Sequence, residues 1–437
     1  MARLGGVRFV GLLGTLTLMA GVFGVGVGST PAGASTYTNV NTEAGLRTAF
    51  GDSSATLIDL TANITLTNCG AGPVSRSSST ALVVNGDSHT VTQTCPDSVF
   101  SQALAGSLTF QNITITGGDI NGALLEGGGI YAGGTVTVTN STITGNSANG
   151  GSESIVQGGG IFAGSSVTVT NSTITANSLT GGTLSIVQGG GIYAGGTVTL
   201  VYATIVDNTA ATAANIAGEL TSFGSVVAQP LGGGANCALS LTTSHGYNLE
   251  DDAGASCGFS TGTDDLAPGT NPDLGLLGFN GGPTQTMVPE PDSPLINAIP
   301  NGSCESDGAS GIMTDQRGFP RPSPPGGACD IGAVQVQSTT LVASATLSQW
   351  KVLDGLFVFR ATLTAMGQGV AGQKVTFTLN NAPRGSSCTA ITNSSGVATC
   401  ELVVRPFSVA LRIHSFTASY GGSVGYLPSS TTGTIHS

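Results

Sequence analysis

Tyr131, Phe162 and Tyr193 each follow an isoleucine directly, and each sits in a copy of one glycine-rich motif at equal spacing along the chain. Aromatic side chains held in a row on an exposed face bind sugar rings by stacking and apolar contact, so these three are the candidate ligand-binding residues. The plainer alternative is that the insertions after Asn146 and Asn177 cover them. A second chemical resource is acidic. Asp251, Asp252, Asp264 and Asp265 fall in a loop-rich stretch, and carboxylate oxygens ligate Ca²⁺, so calcium is the one cofactor left open, against the simpler reading of solvated loop acids. Catalysis is harder to assemble. The carboxylates inside the best-formed repeats are Asp119, Glu126, Glu153 and Asp207, and they do not recur at equivalent positions. A glycosidase needs a carboxylate pair at a set separation, and a polysaccharide lyase needs a base for the C5 proton and a grip on an acidic sugar. From Arg76 to Arg317 no Lys or Arg intervenes, so a lyase would lack both, and no catalytic residue is assigned.

The elements that must position these residues form a repeat of 31 residues. GGGIYAGGTVTVTNSTIT, GGGIFAGSSVTVTNSTIT and GGGIYAGGTVTLVYATIV begin at Gly127, Gly158 and Gly189. Apolar residues alternate with Thr, as in a strand with one buried face, which predicts a parallel β-helix with three short strands per coil. Ile130, Ile161 and Ile192 should stack, as should Val136, Val167 and Val198, then Val138, Val169 and Leu200, then Ile143, Ile174 and Ile205. Asn146, Asn177 and Asn208 should hydrogen-bond from coil to coil at ~4.8 Å spacing. The unit is longer than a coil needs, and the surplus, 146–157, is expected to be a loop on one side. GGGIYAGG lacks the GKS/T of a phosphate loop and is read as turns. The Asn-x-Ser/Thr triplets at Asn63, Asn112, Asn140 and Asn171 match glycosylation acceptors but are expected to serve the coil corners.

Residues 1–34 read as a signal peptide: Arg3 and Arg8, then an uncharged apolar run, then Ala32-Gly33-Ala34 as a cleavage site. No second apolar run is long enough to span a membrane, so no membrane span is expected in the mature chain. The net charge of −12 makes nucleic acid and anionic lipid poor partners. Eight cysteines suit an oxidising compartment, and they lie as near neighbours. Sequential pairing is expected: Cys69 with Cys95, Cys237 with Cys257, Cys304 with Cys329, and Cys388 with Cys400. Tight CxxC or HxxxH spacing for zinc is absent.

Three regions follow the signal: a solenoid over 36–235, a segment rich in Gly, Pro and Asp over 236–337 that caps or continues it, and a module of short alternating strands over 338–437. GYNLEDDAGASCGF (246–259), GLLGFNGGPTQTMVPEPDSPLINA (275–298), TDQRGFPRP (314–322) and CDIGAVQ (329–335) resemble the choice-of-anchor Q segment of bacterial surface β-helix proteins. The GGGI repeats resemble those of polymorphic outer membrane proteins, although TNSTIT replaces the second half of that repeat. Together these resemblances imply a right-handed parallel β-helix in an exported protein. VAGQKVTFTL (370–379), CTAITNSSGVATC (388–400) and FTASYGGSVGYLPSS (416–430) resemble bacterial Ig-like repeats, which implies a β-sandwich spacer. Asp315, Arg317 and Asp330 are expected to form an ion-pair set closing the base of the solenoid, near Cys304 and Cys329.

The reading that results is an all-β, non-catalytic protein, secreted or held at the cell surface, that acts in adhesion or recognition of a neutral glycan or a surface protein. The alternatives are a polysaccharide-degrading enzyme and a purely structural surface component.

Overall fold

The computed structural model describes residues 33–306, 308–350, 354–382 and 386–436, so the expected signal segment lies outside the described residues except for Gly33 and Ala34. From Ser35 the chain winds into a parallel β-solenoid. One coil consists of Ile130–Ala132, Thr135–Thr139 and Thr142–Thr144. The first two belong to a thirteen-stranded sheet and the third to an eight-stranded sheet, with the core between them. Register is kept from coil to coil: Ile130 pairs with Ile161 and Ile161 with Ile192, Val136 with Val167, and Ile143 with Ile174 and then Ile205. These ladder residues are fully or almost fully buried, and each contributes on the order of 1.5–3 kcal/mol by leaving water.

The corners explain the glycines and asparagines. Gly128 and Gly129 lie so close to the next coil that an added Cβ would stand 2.6 Å from the carbonyl oxygens of Gly159 and Gly160. Asn112, Asn140 and Asn171 turn a second corner in the left-handed region, at φ 51°, 49° and 44°. Asn tolerates that conformation better than most residues. At a third corner, Asn146, Asn177 and Asn208 form the expected ladder. Asn146 Nδ2 donates to Asn177 Oδ1 at 2.9 Å, Asn177 Nδ2 to Asn208 Oδ1 at 3.0 Å, and the series continues through Asn215 and Asn236 to Asp251 Oδ1. Every amide donates in the same direction, so the series needs an acceptor at its end, and the Asp251 carboxylate supplies one.

At the N-terminal end, the helix Glu43–Gly51 covers the first coil. Thr42 caps it through Gly45 N, and Leu46, Ala49 and Phe50 are buried, with Phe50 packed on Phe100 at 5.1 Å. This helix was not anticipated, because its single apolar stripe is too short to stand out from the strand pattern around it.

The 146–157 stretch is not a loop. Ser147–Gln157 is a strand of a four-stranded parallel sheet that also contains Asp119–Glu126, Ser178–Thr180 and Ile186–Gln188. Each insertion runs out and back, and the lobe this builds has its own apolar centre of Leu125, Ala148, Val156, Leu179, Val187 and Ala210. Every insertion is too small to bury its apolar residues alone, but in register the three share one core.

Residues of the 236–337 segment first continue the solenoid, with Cys237–Ser244 and Leu249–Glu250 added to the two sheets. The rest runs back along the outside of the eight-stranded sheet. Gln316 reaches between coils, accepting from Thr173 Oγ1 at 2.7 Å and donating to Thr284 Oγ1 at 2.9 Å, and Thr142 Oγ1 donates to the carbonyl of Gln285. Tyr202 stands where Asn140 and Asn171 stand in earlier coils, with φ 51°. It is fully buried, donates to the carbonyl of Cys304 and carries the Arg321 guanidinium 3.9 Å above its ring. The third repeat thus departs from TNSTIT at the point where the returning segment is anchored. Burial pushes the Tyr202 hydroxyl up to about 12.

The expected three-residue ion-pair set is corrected here. Arg317 pairs with Asp315 at 2.8 Å, but Asp330 accepts from the backbone N–H groups of Asn297 and Val336. The group lies along the side of the solenoid, not at its base, because the segment folds back over the eight-stranded sheet.

From Thr339 a second all-β unit follows, with its own core around Phe357, Phe359, Phe377 and Phe416. Thr339–Trp350 and Asp354–Ala365 pair antiparallel, Ser415–Tyr420 lies between Lys374–Leu379 and Ser429–His436, and the sheet curls into a half-barrel compatible with a β-sandwich.

Candidate functional site

Ile130, Ile161 and Ile192 occupy the interior, so strand alternation turns Tyr131, Phe162 and Tyr193 outward. The in-register pairing stacks their rings, with centroids 5.5 and 5.3 Å apart and planes inclined by 14° and 2°. This stack occupies the ring faces. Phe162, in the middle, keeps only 8 % of its surface, while Tyr131 and Tyr193 are half-buried. An exposed row of ring faces is therefore not what the structure presents, since a coil spacing this short makes successive rings cover one another. What faces outward is ring edge.

The lobe stands next to this row. Gly127, Gly158 and Gly189, at φ +70°, +68° and +71°, turn the returning strand of each insertion sharply into the coil. A Cβ there would lie 2.3–2.4 Å from the carbonyl oxygen of Ile130, Ile161 or Ile192, so only glycine permits the turn. On the returning strands Leu125, Val156 and Val187 point into the lobe. Their neighbours Leu124, Ile155 and Ile186 therefore point out, paired in register and 66 %, 40 % and 49 % exposed. Glu126, Gln157 and Gln188 form the next ladder. Aromatic edges and an aliphatic ladder thus flank a corner that follows the solenoid axis. Where the lobe begins, this corner opens into a cavity of about 380 Å³ lined by Asp97, Ser98, Ser101, Asn121, Leu124, Glu126 and Tyr131, among others. Burial raises the pKa of the Glu126 carboxyl.

The aliphatic ladder was missed in the sequence, although Leu124, Ile155 and Ile186 carry the 31-residue spacing. A loop reading of 146–157 removed the strand context that would have shown them to be outward.

Three of the four candidate calcium ligands accept hydrogen bonds from the protein. Asp251 accepts from Gln229 N and Asn236 Nδ2, and Asp252 from Asn236 N and Ser256 Oγ. Asp265 accepts from Ser244 Oγ, Asn248 N, Ser260 N and Thr263 Oγ1. Asp264 occupies a left-handed turn at φ 60°. Among the described residues no group of three or more His, Cys, Asp or Glu side chains is placed to hold a metal ion. These acids tie loop backbone to the end of the solenoid.

Cys69 is bonded to Cys95, Cys237 to Cys257, Cys304 to Cys329 and Cys388 to Cys400. The first two lie near the two ends of the solenoid, the third holds the returning segment beside Tyr202, and the fourth links Ser387–Ile391 to Val397–Val404.

Residues 37–149 match the family described as a pectate lyase-like adhesive domain. The matched stretch runs from the first strand through the first complete 31-residue coil into the lobe, and so contains the cavity and Tyr131. No curated protein and no solved structure matches this chain. Pectate lyase-like describes the coil. Between Arg76 and Arg317, the stretch that builds both walls of the corner, the sequence has no Lys or Arg. Among the described residues no helix is long and apolar enough to cross a membrane.

Proposed function

We propose that this is an exported adhesive protein whose solenoid binds a neutral, linear glycan along the corner between Tyr131, Phe162 and Tyr193 on one wall and Leu124, Ile155 and Ile186 on the other. The observation that carries this reading is the repetition of one apolar corner in register over three coils, with the amides of Gln157 and Gln188 beside it in two of them, in a chain whose residues 37–149 match an adhesive-domain family. A surface repeated at strand spacing gives a linear ligand equivalent contacts along its length. An extended polypeptide laid along the axis rises ~3.3 Å per residue and would fall out of step with coils ~4.8 Å apart, whereas a sugar ring is comparable in length to one coil. The absence of basic residues in the sequence of both walls favours a neutral sugar over an acidic one. The 338–437 module then serves as a spacer, and the disulfides and acidic surface suit a secreted or cell-surface location.

A glycan array probed with residues 35–437, combined with a reducing-sugar assay on every glycan captured, tests this reading. Capture of neutral oligosaccharides without release is expected, weakened by the double substitution Tyr131→Ala and Tyr193→Ala. Release of reducing ends would show an enzyme, and absence of capture across the array would leave a structural role.

A further inference from the structure

The lobe sheet has an open edge, and that edge lies over the cavity. At its far side the sheet is closed by 209–213: Ser178 bridges to Thr209 and Gln188 to Thr212, with Leu179 N donating to Thr209 O and Thr212 N to Val187 O. At its near side, among the described residues, Asp119–Glu126 pairs with Ser147–Gln157 alone. The reason is in the preceding coil, which passes from Thr90–Gln93 to Phe100–Gln102 without forming a lobe. The two levels meet at the base of the insertion, where Asp119 N donates to Asp97 O at 3.1 Å and Ser98 Oγ donates to Gly127 O at 2.7 Å, and the edges of both arms beyond that base are left without a partner. Beside those contacts lies the cavity of about 380 Å³, lined by Ile120 and Asn121 of the outgoing arm and by Leu124, Leu125 and Glu126 of the returning one.

Alternate residues of an edge strand direct N–H and C=O away from their one partner, which makes the edge a template for another strand. Folded proteins commonly blunt such edges with Lys or Pro, and Asp119–Glu126 contains neither. Its exposed tip is Asn121, Gly122, Ala123 and Leu124. The charges around the gap are Asp97, Asp119 and Glu126, with no cation in the sequence between Arg76 and Arg317.

We propose that this edge receives an extended segment of a partner polypeptide, added as a further strand beside the outgoing arm, 119–122, with a basic side chain of that segment seated in the cavity toward Glu126 and Asp97. A peptide backbone matches the alternating donors and acceptors of the edge at strand spacing, which a sugar chain does not. Pairing with the same edge of a second copy is disfavoured, because it would bring two sets of the same carboxylates together with no cation to separate them. The proposal goes beyond the glycan reading and does not rest on it.

The test uses residues 35–437 and a panel of ten-residue peptides of alternating Val and Thr, with one Arg walked through the central positions, read by fluorescence anisotropy. At least one Arg peptide is expected to bind saturably. Replacing its Arg by Glu, or N-methylating alternate amides to remove strand donors, should each weaken binding about tenfold or more. Asn121→Pro should abolish binding, since proline is tolerated on an edge strand but blocks pairing there. Glu126→Gln should remove the preference for Arg over an all-neutral peptide. Tyr193→Ala, at the far end of the corner, separates the two readings by weakening glycan capture and not peptide capture. The proposal is overturned if no peptide in the panel binds, if binding survives N-methylation, or if a neutral oligosaccharide and no peptide fills the gap. Should Asn121→Pro unfold the lobe, the N-methylated peptides decide the matter alone.

Discussion

Asn177 offers the sharpest test of how the coils are held together. Its side chain is fully buried. Nδ2 donates to Ile143 O, Thr175 O and Asn208 Oδ1 at 3.0–3.1 Å, and Oδ1 accepts from the backbone N–H and the side-chain amide of Asn146 at 3.2 and 2.9 Å. Asn177→Leu keeps the approximate shape and removes every one of these bonds. Asn146 Nδ2 retains Ile115 O and Thr144 O, and Asn208 Oδ1 retains Asn177 N, but Asn146 N loses the side-chain oxygen it donates to. One stranded buried donor costs about 1–3 kcal/mol and the other four lost bonds about 1 kcal/mol each, while the buried apolar Leu side chain offsets about 2 kcal/mol, so a loss of about 3–5 kcal/mol is expected. Asn177→Asp sharpens the argument. A carboxylate satisfies Asn146 but turns its second oxygen toward three acceptors, Ile143 O, Thr175 O and Asn208 Oδ1. It should therefore be worse than Leu at neutral pH and recover on acidification, when a carboxylic acid regains a donor. Denaturant unfolding at pH 7 and pH 4 measures both variants. A Leu variant within about 1 kcal/mol of the parent, or an Asp variant no worse than Leu at pH 7, would refute the view that the amide ladder is a directional hydrogen-bond chain.

Further outcomes follow from single sites. Asp330 is buried, and that burial raises its pKa from 3.8 to about 6 despite its backbone hydrogen bonds. A raised carboxyl favours the protonated folded state, so its contribution is fully present below about pH 4 and is lost as pH rises through about 6. Stability measured by denaturant should thus improve by up to about 3 kcal/mol on going from pH 7 to pH 4, and Asp330→Asn should flatten that part of the profile. Phe162→Ala should cost about 3 kcal/mol in the same assay because the ring is sandwiched between two others, whereas Tyr131→Ala and Tyr193→Ala should cost clearly less; equal losses for all three would contradict the stacking. Gly158→Ala must place a Cβ 2.4 Å from Ile161 O at positive φ, so it should either fail to secrete or lose protection of the lobe amides in hydrogen exchange.

Much of the solenoid was legible because a repeat writes its contacts into the sequence. Residues 31 apart stack, so Ile130, Ile161 and Ile192, or Asn146, Asn177 and Asn208, announce their own neighbours before any coordinates exist. Sequence proximity did the same for the four cysteine pairs. The outward sense of Tyr131, Phe162 and Tyr193 was equally readable, since each follows an inward isoleucine. Three things were decided only by tertiary structure. The insertion at 146–157 is polar enough to read as a loop, and it becomes strand because its neighbours one coil away supply partners for Ala148 and Val156. The course of 251–337 along the eight-stranded sheet depends on contacts such as Gln316 with Thr173, made between residues far apart in sequence that carry no shared period. The ring faces of the aromatic row are hidden because stacking distance is set by the strand spacing and not by the identity of the side chains. A repeating sequence determines what lies above and below each residue, while what lies beside it is settled only when non-repeating segments find the surfaces the repeats have built.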